Sequence, residues 1–433
     1  MKNKNLLQLF LLFCISFSLK ADEIYTVDEL IFLALKNSPD LKISGLNYEA
    51  SQQEYNIATA NYLPKVNLQA SAAKAGASNI LSTNNDMVDD TILRGNVSLK
   101  QLIYDFGKTG SNSDYTQYES QSYLLKQIQK ISNKKRAVKE AYYNVLKAKS
   151  LISVQIENVK LNQAQLYRSK QYFKAGIRTK IDISDAKVAL IKSQIDLKNA
   201  QYNLKQAYSI LDQVVGFTDV DKLYTVYSTN LNLNRLNDFV KDYPLTLKNC
   251  IRYAYENKPE IKEYQTNIKS VESLIKVSSS EYYPELYLGA DYTKQSSDKF
   301  QLLTPKDQWQ VGVNLNWNLY QGGSSKSRVQ KSKINREIST FALRDLKLKV
   351  KQNVTSEFLN VYRKKDTLGL SQGLMEASSQ KFDQAAKRYE HGLSDYIELQ
   401  QARQDYIDAK ASLIIDYYNY YIAIANLDNA IGK

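Results

Sequence analysis

The sequence predicts a mainly helical chain that also contributes four strands to a membrane β-barrel, with long coiled-coil helices making up most of its length. Three observations carry that prediction. Apolar residues recur every seven positions over tracts far longer than an ordinary globular helix. Four short stretches alternate with a period of two. The whole pattern occurs twice.

The heptads come first. Leu124, Ile131, Val138, Val145, Ile152, Val159, Leu166 and Phe173 share one spacing of seven, and Val354, Val361, Leu368, Met375, Phe382 and Tyr389 repeat the register. A lone amphipathic helix drifts off a strict seven-residue repeat within a few turns, so helices that keep it pack as coiled coils. Spanning 108–174, the first would be roughly 100 Å long at 1.5 Å per residue. The tracts break at "AGIRTKID" and "HGLSDYIE". Returning helices carry Ile183, Leu190, Leu197, Leu204 and Leu211 in one copy, and Leu399, Tyr406, Leu413, Tyr420 and Leu427 in the other. Composition agrees: 15 Gly and 6 Pro in 433 residues leave few helix breakers, and 33 Tyr against 12 Phe suit half-wet surfaces.

The duplication sets the domains. "LIFLALKNSPDLK" (30–42) is echoed by "CIRYAYENKPEIK" (250–262), and "NYLPKVNL" (61–68) by "EYYPELYL" (281–288), both 220 residues on. The offset then becomes 216, pairing Tyr104 with Tyr320, Gly107 with Gly323, Gly176 with Gly392, Ala186 with Ala402 and Gly216 with Gly432. The change falls between the strands, where a loop absorbs it. Residues 22–216 form the first repeat, 217–243 an Asn-, Asp- and Tyr-rich linker, and 244–433 the second. Each repeat opens with a short helix, capped in the first by Thr26 and Glu29, and Pro39 or Pro259 starts a second helix in its first turn.

The strands follow Pro64 and Pro284. "VNLQASA" (66–72) matches "ELYLGADYT" (285–293), and "GNVSLKQLIYD" (95–105) matches "GVNLNWNLYQGG" (312–323). In the last, Val311, Val313, Leu315, Trp317 and Leu319 alternate with Asn314, Asn316 and Asn318, so the apolar set shares one face and the asparagines the other. Strands of this kind match the transmembrane barrel signature, with the first set facing lipid and the asparagines an uncharged, unselective lumen. Four strands leave open edges, which hydrocarbon does not tolerate. Closure therefore needs other chains: two would supply eight strands and three would supply twelve.

Residues 1–21 read as a signal peptide. Lys2 and Lys4 precede an uncharged run of about 14 residues, short of the roughly 20 that span a bilayer. Losing them takes the net charge from +13 to +10. The remaining lysines are scattered along helices, which describes a solvated surface rather than a nucleic-acid site. Cys250 is then the single cysteine and His391 the single histidine, which excludes an internal disulfide and leaves no metal set. No triad and no phosphate-cradling glycine loop occurs, so an enzyme and a cofactor are excluded.

The chain resembles the TolC family of outer-membrane efflux proteins. The marks are "TVDELIFLALKNSPDLK", the duplicated "YLP" and "YYP", the strand exits "LIYDFGKTGS" and "NLYQGGSSKS", and the turns "YFKAGIRTKIDISDA" and "RYEHGLSDYIELQQA". The resemblance implies a homotrimer with one twelve-stranded barrel in the outer-membrane lipid and a helical cylinder crossing the periplasm. It would serve as the passive exit duct of a tripartite pump, with a periplasmic adaptor and an inner-membrane transporter as partners. Type I protein secretion uses the same kind of duct, and a non-spanning periplasmic coiled-coil protein is the rival of another class. The resemblance places the periplasmic entrance at the hairpin turns. Tyr389 and Asp182 match two closing residues; the matching arginine position is Ser394, with Arg178 at the equivalent place in the first copy. Glu398 falls at an acidic ring position, the next being Gln401, and Asp185 lies one turn beyond Asp182. Gly176 and Ile177, with Gly392 and Leu393, fall at the adaptor-contact tips.

Overall fold

The computed structural model describes residues 23–78, 87–219, 224–228, 240, 242–296 and 307–433. The expected signal peptide and most of the 217–243 linker lie outside them. The elements run β1 (Glu23–Tyr25), α1 (Val27–Asn37), α2 (Pro39–Thr59), a 3-10 turn at Ala60–Tyr62, β2 (Lys65–Ser78), β3 (Met87–Tyr104), α3 (Lys108–Lys174) and α4 (Lys180–Val215). There follow β4 (Tyr224–Val226), α5 (Leu247–Asn257), α6 (Pro259–Ser280), β5 (Glu285–Ser296), β6 (Asp307–Asn316), α7 (Ser324–Glu390) and α8 (Tyr396–Ile431). Two helices, two strands, one 67-residue helix and one 36-residue helix therefore come in the same order twice.

Local chemistry explains the boundaries. Thr26 caps α1 as a full capping box, its backbone N–H donating to Glu29 Oε2 at 2.7 Å. Pro39 and Pro259 occupy the first turns of α2 and α6, where a missing N–H costs nothing. Gly216 ends α4 at φ 83°, and a Cβ there would lie 3.3 Å from the Asn37 backbone. A left-handed turn and a close approach both demand glycine.

The chain divides into two compact units. One comprises residues up to Leu41, Lys130–Tyr255 and Val350–Lys433. Its core gathers Leu30 and Ala34 of α1, Val138, Val145 and Val154 of α3, Leu211 and Val215 of α4, Val226 of β4 and Ile407 and Ile414 of α8. β1 and β4 pair in parallel beside it, from Glu23 opposite Tyr224 to Tyr25 opposite Val226. The heptads supply the buried seam: Val138, Val145, Val354, Val361, Leu368, Leu413, Tyr420 and Leu427 are all buried. The first and last members of the α3 series, Leu124 and Phe173, are exposed.

The other unit, Lys42–Gln129 and Glu256–Lys349, holds α2, α6, the first parts of α3 and α7, and the larger sheet. That sheet is antiparallel throughout, in the order β2–β3–β5–β6, so β2 and β6 are its edges. Its register puts Val66 opposite Leu99, Leu68 opposite Val97, Leu286 opposite Leu315 and Leu288 opposite Val313. β6 stops at Asn316, sooner than the alternation predicts. Its partner β5 begins at Glu285, directly after Pro284, which has no N–H to donate. Trp317, Asn318 and Leu319 therefore lie beyond the ladder, and the Trp317 indole N–H donates to the Tyr282 carbonyl at 3.1 Å.

Candidate functional site: hairpin turns and sheet faces

Two arrangements answer to the sequence expectations, one in each unit. In the first, α3 and α4 join through Gly176 and α7 and α8 through Gly392, both left-handed (φ 73° and 75°). The Ile177 N–H reaches the Tyr172 carbonyl at 2.9 Å and the Leu393 N–H reaches that of Arg388 at 2.8 Å, closing both turns alike. Ile177 and Leu393 stand about two-thirds exposed at the tips, at 65% and 70%.

Behind the tips the two turns are tied together. The Arg178 guanidinium donates to the Ser394 carbonyl at 3.0 Å and lies 5.0 Å from the Tyr389 ring centroid. An arginine from the first copy thus reaches the turn of the second, at the position where the second copy carries serine. Tyr389 is buried against Ala186, Ala385, Tyr396, Leu399 and Ala402. Burial pushes its hydroxyl above the ordinary tyrosine range; Arg178 opposes that shift and Asp182 adds to it. Arg178, Tyr389, Asp182 and Ser394 are accordingly one neighbourhood.

The carboxylates do something more local. Asp182 is the N3 residue of α4, and its Oδ2 accepts from the Thr179 N–H and hydroxyl, each at 2.9 Å. Glu398 holds the same position in α8, where its own N–H donates to the capping Asp395 at 2.8 Å and its side chain pairs with Arg388 at 3.1 Å. Asp185 is exposed one turn on. Asp182 therefore caps its own helix, Glu398 pairs within its own turn, and Asp185 acts through its charge on the buried Tyr396 hydroxyl.

The sequence reading missed the polar stripe next to this cluster. Asn158, Asn162, Gln165 and Ser169 of α3 are all buried, spaced four, three and four apart. Asn162 donates to Asn158 at 2.9 Å. Gln165 and Ser169 lie against the buried Tyr389 hydroxyl, where each favours its ionised form. Arg403, also buried, faces the Tyr396 hydroxyl, and burial pulls its affinity for a proton down. The signal was legible as polar residues at helical spacing beside the apolar heptads.

The second arrangement is the sheet. Val66, Leu68, Leu93, Val97, Trp309, Val311, Val313 and Leu315 form one face, and Val313 and Leu68 are 60% and 77% exposed. An open apolar face of this extent needs a partner or lipid. Asn314 and Asn316 stand on the opposite face, across from Tyr287 and Glu285. Gly289 makes room there, since a Cβ would meet the Asn314 amide at 2.9 Å. The expectation of an uncharged polar face does not hold. The register brings Lys65, Arg94, Lys100, Asp291 and Glu285 to the asparagine side, charges that lie in the other three strands.

Among the described residues no helix is long and apolar enough to cross a membrane. Long paired helical hairpins joined to an open antiparallel sheet with one bare apolar face are the parts of a helix-and-barrel channel protein. The sequence model for "Outer membrane efflux protein" matches residues 30–217 and 250–433, and the chain belongs to that family of bacterial outer-membrane efflux channels. It is similar to the probable efflux pump outer membrane protein TtgC of Pseudomonas putida, 21% identical over 418 residues that cover 94% of this chain and 82% of TtgC. It is also similar to the outer membrane protein TolC of Escherichia coli, 21% identical over 410 residues covering 92% and 80%. Its fold superposes on the Campylobacter jejuni CmeC outer membrane channel with a TM-score of 0.79, at 17% identity over 94% of this chain and 85% of that one.

Proposed function

We propose that three copies of this chain close their sheets into one twelve-stranded barrel in the outer membrane, and that the assembly is the passive exit duct of a tripartite pump exporting small molecules. The observation that carries this is the open sheet: two unpaired edges and a bare apolar face, in a chain of the outer membrane efflux family. Barrel closure removes both liabilities at once, because edges vanish and lipid covers Val311, Val313 and Leu315. Residues 1–21 serve as the export signal. Trp317 and Leu319, just past the end of β6, lie at the membrane boundary, and Asn314 and Asn316 face the lumen, with Asn318 beyond it.

The hairpin turns are the periplasmic entrance in this reading. Arg178, Tyr389, Asp182 and Ser394 hold the turns of one chain together, while Asp185 and Glu398 give the constriction its negative charge. Gly176, Ile177, Gly392 and Leu393 present the exposed tips to a periplasmic adaptor, which links the duct to an inner-membrane transporter. The test uses the full chain expressed with its N-terminus intact. Outer-membrane fractions should yield a detergent-resistant three-chain particle that forms conducting channels in planar bilayers. A monomer in the soluble periplasmic fraction would overturn the proposal.

A further inference from the structure

At the foot of the larger sheet lies a cavity of about 480 Å3, lined among others by Lys65, Lys100, Lys108, Asp105, Glu285 and Tyr287. Lys65 and Lys100 stand directly opposite each other in the β2–β3 ladder. Like charges in that position destabilise a sheet, so their juxtaposition asks for a compensating anion. Neither ammonium has a carboxylate within ion-pair distance among the described residues. Lys65 donates to the Asn61 side-chain oxygen at 2.8 Å, and Lys100 sits 3.9 Å over the Tyr287 ring.

The two acids in the cavity are already engaged. Glu285 accepts from Lys108 at 2.7 Å and from the Tyr287 hydroxyl at 2.8 Å. Asp105 is buried and accepts from the Gly107 and Thr109 backbone N–H groups at 3.2 and 2.7 Å, at the start of α3. Lys108 and Glu285 offset one another, and Asp105 is committed to a helix terminus. Glu285 also acts on Lys100 at longer range, but its carboxylate is already bonded to Lys108, so the Lys65–Lys100 pair keeps a net positive charge. Asn67, Ser98 and Asn96 continue the same face along the ladder with polar groups.

We propose that this cavity is an anion-binding station that takes the carboxylate or phosphate group of a solute between the Lys65 and Lys100 ammonium groups. It rests on the duct reading above, which turns the polar face toward the lumen. A solute passing the foot of the barrel would exchange its water for two charge-assisted hydrogen bonds, held by residues of two neighbouring strands. The aromatic ring under Lys100 fixes that side chain's direction without neutralising it.

The experiment is single-channel recording of the full-length protein in planar bilayers. Chloride-to-potassium permeability is read under a salt gradient, and inorganic phosphate is then added at millimolar concentration. The Lys65→Gln/Lys100→Gln variant should lower the permeability ratio at least about twofold, because two fixed charges per chain within roughly a Debye length of the passing ion disappear. Phosphate should reduce the wild-type current and leave that of the variant unchanged. Lys65→Arg/Lys100→Arg should keep both properties. Wild-type channels whose ratio and phosphate sensitivity match those of the glutamine variant would overturn the station alone. A wild-type protein that forms no channels would overturn the duct itself.

Discussion

Val311 and Gln310 are adjacent in β6 and face opposite ways, and replacing each with arginine isolates what the two faces meet. Val311 stands opposite Ala290 on the apolar face, midway along a strand that runs from Asp307 to Asn316. Gln310 stands opposite Asp291 on the polar face. If lipid covers the first face, Val311→Arg places a charge near the bilayer midplane at a cost of about 2–4 kcal/mol per chain. At about 1.4 kcal/mol per tenfold, that is a loss of roughly 30- to 700-fold in the assembly equilibrium for each chain. Gln310→Arg enters water beside Asp291 and should change stability by no more than about 0.5 kcal/mol. The assay is recovery of detergent-resistant oligomer from outer-membrane fractions, followed by urea unfolding in lipid vesicles. Equal recovery of the two variants, or greater loss with Gln310→Arg, would refute the assignment of faces.

The hairpin cluster gives two further expectations, and the core around α3 gives a third. Arg178→Ala removes a hydrogen bond to Ser394 and a cation–π contact with Tyr389, worth together about 1–2 kcal/mol, and should raise single-channel conductance. Unchanged conductance would remove Arg178 from the closing role. Charge reversal at Asp182 together with Glu398 should weaken block by divalent cations in bilayer recordings, and unchanged block would confine these acids to their local contacts, Asp182 with Thr179 and Glu398 with Arg388. Tyr142 donates to the Tyr227 carbonyl at 2.6 Å, and burial pushes its hydroxyl up to about 12. A folded value above the unfolded value of about 10 means that its contribution is complete below pH 10 and is lost as pH rises toward 12. The melting temperature of the detergent-solubilised protein should therefore fall across that window by more in wild type than in Tyr142→Phe, a difference on the order of 1 kcal/mol. Parallel decline in both would place the alkaline loss elsewhere.

The long helices were legible in detail because a coiled coil is a one-dimensional pattern. The bounds expected for α3 are those observed, and Val138, Val145, Val354 and Leu413 of the heptad series are buried. The sheet was legible strand by strand but not as a surface. The asparagines of β6 suggested an uncharged face, yet Lys65, Lys100 and Asp291 join it only through register, which no single strand encodes. The end of β6 was missed for a related reason: its alternation continues through Leu319, but the partner strand begins only after Pro284. At the hairpin turns, the repeat made Arg178 and Ser394 equivalent positions, which says nothing of whether they touch. Their contact depends on how two hairpins 216 residues apart pack together. The buried Asn158–Ser169 stripe went unread because attention to apolar heptads passes over polar residues with the same spacing.

Closure of three open sheets into one barrel is the central claim, and it places β6 of one chain beside β2 of the next. Single cysteines introduced pairwise at Leu68, Ala70 or Ala72 in β2 and at Trp309, Val311 or Val313 in β6, with Cys14 and Cys250 replaced by serine, test that adjacency by oxidative cross-linking in outer-membrane fractions. Disulfides form only between Cα atoms within about 7 Å. At least one pairing should give a ladder that ends at a covalent three-chain product. A product that stops at two chains, or no interchain product from any pairing, would contradict the shared barrel.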